Sequence, residues 1–280
     1  MSSTTRRKRS GRAHVSETIS EENVGISEKW SLPWQIPDLS PAPMRIALGI
    51  AGPSMAGKTI IGTHIAAHVA KQYKIPIIFI LTEKIHSNLI PTRMKNYDVP
   101  YKILRIPSIK LLDLLKFFGV TAQIQTKKKA DEIGKTEYIS IHEPENSEAL
   151  KMMPAVIVID TVSAPFNLFS GGRQNFPARN SAEEDLFGSL QYVLAASPRP
   201  ALAITIHEET KDPTNVYVKP DVKGGKAVDR WHDYILMMGL YKKDKRNPYK
   251  WMEIYRWAGK NVSDKRYRLL ITDEGVELVE

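Results

Sequence analysis

The 280-residue chain contains no cysteine. That excludes a disulfide framework, a cysteine nucleophile and any thiolate metal site. No run approaches the ~18 consecutive apolar residues of a membrane-spanning helix. The polar, basic N-terminal segment also lacks the apolar stretch of a secretory signal. A cytoplasmic location is the expectation that follows. Hydrophobic residues make up 42% of the chain and charged residues 25%, which is the balance of a folded domain and not of a disordered one. The length allows one large α/β domain or two small ones.

The formal net charge is +9, and it is unevenly placed. Residues 1–40 hold 6 basic and 5 acidic residues, whereas residues 211–268 hold 15 basic and 7 acidic. Nearly all the excess therefore falls in one C-terminal stretch. A clustered basic surface suits a polyanion such as nucleic acid, and the alternative is a solvated face without a partner.

Residues 1–43 read as a disordered basic tail with a Pro/Trp-rich lead-in. Arg6 to Arg9 form a basic run, apolar residues are scarce before Trp30, and such a segment buries too little surface to offset its ordering entropy. The stretch from Trp30 to Pro43, with four prolines and two tryptophans, is expected to pack in extended form against the core or a neighbouring subunit. Residues 44–280 read as one α/β domain. Buried strands are expected at 44–50, 75–81, 101–106, 155–160 and 201–206, each a short apolar run. Helices are expected at 58–73, with Ile61, Ile65 and Val69 as the apolar stripe, at 109–118 and at 183–196. Residues 120–150 read as a surface hairpin or insertion. Strands alternating with helices predict a mostly parallel central sheet flanked by helices. Period-two runs at 234–240, 251–257 and 266–271 predict antiparallel hairpins extending it.

Residues 52–59 read GPSMAGKT, a full match to G-x-x-x-x-G-K-[ST] between an expected strand and an expected helix. Gly52 and Gly57 permit the backbone turns that aim successive N–H groups inward. Pro53, Ser54, Met55, Ala56 and Ile60 complete the cradle at the helix start, where the helix dipole favours phosphate. Lys58 reaches the outer phosphates, and the Thr59 hydroxyl can ligate Mg²⁺. Asp160 ends the strand AVIVID and is either the second Mg²⁺ holder or a turn residue. Glu83, just past the IPIIFIL strand, is either the carboxylate that orients attacking water or a surface residue. His207, with Thr205, follows ALAITI and is either a γ-phosphate sensor or a hydrogen-bonded structural histidine. His64 and His68 are spaced i, i+4, but HIAAH lacks the Glu of H-E-x-x-H and no third ligand accompanies it, so both read as ordinary helix residues.

The ordered set GPSMAGKT, ILTEK, AVIVIDTVSAPF, ALAITIHEE and KGGKAVDRWHDYILMM resembles the ATPase core of the RecA/RadA recombinase superfamily, closest to short archaeal RadA paralogues (RadB-like and RadC-like) and phage RecA-like ATPases. The likeness covers about residues 44–280 and implies a P-loop NTPase fold of RecA type, with ATP and Mg²⁺ as cofactors and hydrolysis of ATP as the reaction. It implies Glu83 as the catalytic carboxylate. It places DNA-binding loops, single strands favoured, at 166–182 (with Gly171, Gly172 and Arg173) and at 208–226, the latter with Gly224-Gly225 ahead of Trp231 and His232. Phe176 and Tyr217 are available there to stack on bases. The family usually carries Asn-Gln or His-Gln where this chain has His207-Glu208. A cation from a neighbouring subunit completes such sites; Lys226, Arg230 and Lys260 are the candidates. The terminal RLLITDEGVEL resembles the archaeal C-terminal signature. The lead-in is too short and polar for a helix-hairpin-helix domain, and no Phe-x-x-Ala motif is present. An accessory role in DNA recombination and repair, as a homo-oligomer or beside a partner recombinase, is the resulting expectation. The alternatives are a ring-forming helicase or packaging motor, a KaiC-like regulator acting on proteins, and a nucleotide-binding subunit serving another recombinase.

Overall fold

The computed structural model describes residues 28–36, 39–82, 88–105, 111–129, 132–169, 175–210, 221–222, 226–241, 247–258 and 265–279. Six parallel strands form its centre. They are β3 (Ile46–Gly52), β4 (Ile77–Leu81), β5 (Tyr101–Arg105), β8 (Val156–Asp160), β9 (Leu202–Thr210) and β11 (Tyr234–Leu240). Three antiparallel strands, β12 (Tyr249–Trp257), β13 (Arg266–Ile271) and β14 (Val276–Val279), continue the sheet in the order β14-β13-β12-β11-β3-β9-β8-β4-β5. The short β10 (Asp221–Val222) pairs back onto β9. The chain is thus mixed α/β with a large, mostly parallel sheet and antiparallel hairpins at one side.

The strand sequences explain this layering. In β4, Ile77, Phe79 and Leu81 face one side while Ile78 and Ile80 face the other, and all five are buried. A strand apolar on both faces needs cover on both. Helix α1 (Lys58–Tyr73) covers the first face with Ile61, Ile65 and Val69, each fully buried. Helices α3 (Leu111–Phe117) and α5 (Phe176–Ala195) cover the second with Leu111, Leu114, Leu186 and Leu190. Burying each such aliphatic side chain contributes about 1.5–3 kcal/mol. The short helices α2 (Leu89–Met94), α4 (Glu148–Lys151) and α6 (Lys226–Trp231) fill connections. Among the described residues, no helix is long and apolar enough to cross a membrane.

Residues 120–150 contain the expected hairpin, a two-stranded ribbon of β6 (Val120–Lys129) and β7 (Glu132–His142). The lead-in packs against the core. Its β1 (Lys29–Trp30) pairs with β2 (Ala42–Pro43), Trp30 is fully buried against Trp257, and the Trp34 indole donates to Val276 O at 3.0 Å. Residues 1–27, with the Arg6–Arg9 run, lie outside the described residues.

Two boundaries differ from expectation by more than two residues. Helix α5 begins at Phe176, seven residues ahead of the expected Glu183. Pro177 sits in its first turn, where a missing N–H costs nothing. Glu183, which resembles a solvated helix start, is a buried residue paired with Arg179 at 2.8 Å. Strand β9 continues past Ile206 to Thr210, because β10 pairs Asp221 with Thr210 and Val222 with Glu209.

Gly188 lies within α5, and a Cβ there would meet the Trp231 ring at an ordinary 3.6 Å. Gly188→Ala should therefore stabilise the fold by about 0.5–1 kcal/mol through helix propensity. Urea unfolding of the two proteins checks this, and a lower midpoint for the alanine variant would contradict the open space at Gly188.

Candidate functional site

The phosphate-loop sequence lies at the carboxyl end of β3 and runs directly into α1. Gly52 has φ +150°, Met55 φ +65° and Gly57 φ +86°, so three residues turn the chain out of the sheet and into the helix. Gly57 is the cap residue of α1. The first-turn amides of such a helix have no intrahelical acceptor and point outward at the loop. The loop closes on itself, with Ala56 N–H donating to Pro53 O at 3.3 Å. Lys58 is buried, and its ammonium donates to Gly52 O and Pro53 O, each at 2.8 Å. The charge thus sits inside the curve of the loop. Ser54 and Met55 are exposed at the rim, and Ile60 is half-buried in the helix behind.

Strand β8 ends at the same edge, two strands from β3 with β9 between them. Two strand spacings are about 10 Å, and the first turn of α1 spans them. Thr59 Oγ1 donates to Asp160 Oδ2 at 2.7 Å, joining residues 101 apart in the chain, and both are buried. Thr82, the residue after β4, fastens that strand to β8. Its N–H donates to Asp160 O at 2.9 Å, its hydroxyl donates to Thr161 O at 2.7 Å, and the same hydroxyl accepts from Thr161 N–H at 2.9 Å. Lys58, Thr59 and Asp160 are therefore brought together as the spacing predicts. Glu83 is the next residue after Thr82 and lies outside the described residues.

His207 differs from expectation. It lies inside β9, in register with Ala51, and not at the strand's end. It is buried, and its Nε2 is 2.9 Å from Thr205 Oγ1. The same hydroxyl is 2.7 Å from His232 Nε2, and His232 Nδ1 is 3.1 Å from Val228 O. Because Val228 O can only accept, His232 Nδ1 carries the proton. Burial lowers the His232 pKa to about 4, so its Nε2 is an acceptor. Thr205 then donates to His232 and accepts from His207 Nε2–H. Phe187 packs on both imidazoles, with ring centroids 6.2 Å from His207 and 5.0 Å from His232. His232 was not singled out for this role, and its 27-residue separation from Thr205 leaves no local signal. This network matches the hydrogen-bonded alternative for His207.

The depressed pKa of His232 fixes a sign. The unfolded chain takes up a proton below about pH 6.5 and the folded chain does not until about pH 4. Stability should be full above pH 6.5 and fall as pH drops toward 4, by on the order of 3 kcal/mol from this residue. Urea midpoints at pH 7 and pH 5 for wild type and His232→Gln measure it; an equal slope in both would remove His232 as the source.

The other expected residues scatter. Arg230 pairs with Glu184 at 2.8 Å beside Ile46 and Ala47, at the amino end of β3, on the edge opposite the phosphate loop. In its own chain it cannot reach that loop. The side chain of Lys226, together with Lys260, Tyr217, Gly171, Gly172, Arg173, Gly224 and Gly225, lies outside the described residues. Of the expected 166–182 loop, residues 176–182 are α5 and Pro165–Phe169 are a 3₁₀ helix; the exposed Phe176 opens α5. Of the 208–226 loop, 208–210 belong to β9 and 221–222 to β10, and α6 starts at Lys226. His64 and His68 bear out the reading as helix residues: His64 Nδ1 lies 2.6 Å from Tyr97 OH, and its ring stacks on Trp34.

Among the described residues no group of three or more His, Asp or Glu side chains is placed so that it could hold a metal ion. Thr59 Oγ1 and the Asp160 carboxylate are hard oxygens of the kind Mg²⁺ takes alongside phosphate oxygens and water, so the residues present fit that ion. No protein-family model matches this sequence, and no curated protein matches it closely enough to count.

Proposed function

We infer that the chain is a Mg²⁺-dependent P-loop ATPase of RecA type that acts on single-stranded DNA in recombination or repair, as an accessory protein. The observation that carries this reading is the Thr59–Asp160 hydrogen bond. It joins a complete phosphate-loop sequence to an acidic strand end across one intervening strand. Ligands of open α/β sheets bind at that carboxyl edge.

The loop amides and Lys58 would hold the β- and γ-phosphates of ATP. Thr59 and Asp160 would hold Mg²⁺, which when bound supplies charge neutralisation on those phosphates. Glu83 would orient water in line with the γ-phosphate and accept its proton; the P–O bond to ADP breaks as the water oxygen bonds to phosphorus. Such sites work by positioning and electrostatics more than by covalent chemistry. His207 contributes through the Thr205–His232 network at the adjoining strand, as a positioning residue. Single strands would engage the segments beyond the 3₁₀ helix and between β9 and α6, and a second copy or a partner recombinase would supply a further cation.

ATP turnover with and without single-stranded DNA tests the whole reading. Stimulation by single strands is expected, and turnover indifferent to DNA would favour a regulator acting on proteins. Directional duplex unwinding would favour a helicase. Glu83→Gln should bind ATP as wild type does and cleave it at least a hundredfold more slowly, on the scale of a general base. An unchanged rate in single-turnover assays would discard Glu83.

A further inference from the structure

The positive excess of residues 211–268 is not absorbed by the nucleotide site, and part of it has a defined geometry in β12 and β13. Antiparallel pairing sets Trp251 opposite Arg268 and Glu253 opposite Arg266, with Tyr249 opposite Leu270, so these side chains share one face. The Arg268 guanidinium lies 3.9 Å from the Tyr249 ring centroid and 5.8 Å from that of Tyr241. The Arg266 guanidinium lies 4.4 Å from the Trp251 centroid. Trp251 is itself laid flat across β11, where a Cβ on Gly239 would come within 2.0 Å of its ring. The rings thus hold two planar cations side by side, about 7 Å apart along the strand. The Arg266 side chain remains 59% exposed, and Arg268 is exposed as well. Among the described residues, the acidic groups on this face are Glu253, whose side chain is 3% exposed and 3.7 Å from Arg266, and Glu277 on the edge strand β14.

We propose that this face of β12 and β13 binds a single-stranded polynucleotide through Arg266 and Arg268, as a surface separate from the two loop segments. A guanidinium stacked on an aromatic ring keeps its edge N–H groups for phosphate and its outer plane for an unpaired base. Anionic lipid headgroups would satisfy the charges but have no use for a row of aromatic-backed planes. Phosphate contacts supply most of the affinity, and the planes discriminate single strands from duplex. The proposal rests on the single-strand reading above and extends it to one face of β12 and β13, the other face of which packs beside Gly57 through Lys250 and Ile271.

The test is fluorescence anisotropy with a labelled 20-mer oligothymidylate over a salt series, using wild type and the double variant Arg266→Gln/Arg268→Gln. The variant should bind about tenfold more weakly, and its slope of log K against log salt should fall by about 1.4, which is 0.7 for each lost phosphate contact. ATP turnover without DNA should be unchanged. Arg266→Lys/Arg268→Lys should restore the salt slope but not the full affinity, because the stacking plane is gone. Wild-type affinity in the glutamine variant would overturn this surface and leave DNA binding by the loops standing. Failure of the wild type to bind any oligonucleotide, with or without ATP, would overturn both. An equal loss on duplex of the same length would overturn the single-strand assignment. Loss of binding to phosphatidylserine vesicles with oligonucleotide binding intact would overturn it in favour of a membrane surface.

Discussion

Lys58→Ala should lower ATP turnover by roughly a thousandfold, the scale of removing one preorganised charge from a phosphoryl-transfer site. The ammonium is buried and held by Gly52 O and Pro53 O at 2.8 Å each. On the proposed reading it would therefore already stand at the loop when the γ-phosphate arrives. The same contacts mean that its loss also loosens the loop, so binding and chemistry must be read separately. ATP affinity from equilibrium binding, turnover from phosphate release and a urea midpoint on one preparation do so. Turnover near wild type in a folded variant would remove the phosphate-loop reading altogether. Loss of turnover with a collapsed urea midpoint would make Lys58 a structural residue first.

Gly52→Ala should destabilise the fold by about 3 kcal/mol, for two reasons that act together. Its φ of +150° is one that side-chain-bearing residues rarely adopt, and an added Cβ would stand 2.4 Å from Met238 O. That oxygen is main chain in the neighbouring β11, so no rotamer change relieves the contact. For a domain of this size the melting temperature should fall by roughly 10 °C. Met238→Ala added to the same chain should not restore it, since the clashing atom remains. A melting temperature within a degree or two of wild type would show that β3 and β11 separate more easily than their pairing implies. On the proposed reading, the glycine would then matter for phosphate access alone.

Much of the architecture was legible because burial on both faces writes itself into composition. IIFIL in β4 and the VIVI that precedes Asp160 in β8 leave no polar position for solvent, and both emerge as central parallel strands. The period-two runs of β12 and β13 were equally plain, since one face of each meets the core and the other is half-exposed. By contrast β11, expected with them as an antiparallel extension, is buried on both faces and pairs parallel with β3 as well as antiparallel with β12. The ends of α5 and β9 were harder. Asn175-Phe176-Pro177 resembles a loop until proline is counted as a first-turn residue, and the buried Glu183 argues for solvent where there is none. The polar Glu208-Glu209-Thr210 sequence resembles a strand's exit, yet β10, eleven residues on, supplies the pairing that prolongs it. In the site, motif spacing carried Lys58, Thr59 and Asp160. The Thr205–His232 bond and the arginines laid on Tyr249 and Trp251 depend on register between strands, which no single segment encodes.

The Trp34 indole is tied to Val276 O across 242 residues of chain, and the Trp257 indole is tied to Ser40 O across 217. During synthesis the lead-in therefore emerges from the ribosome long before its partners exist. It must wait until β12 and β14 are made for Trp257 to cover Trp30 and for Val276 to accept from Trp34. Contacts of such separation are slow to close, so docking of this segment should be among the last events of folding. A chain halted before Val276 would leave the Trp34 indole N–H without its acceptor, with the ring still stacked on His64.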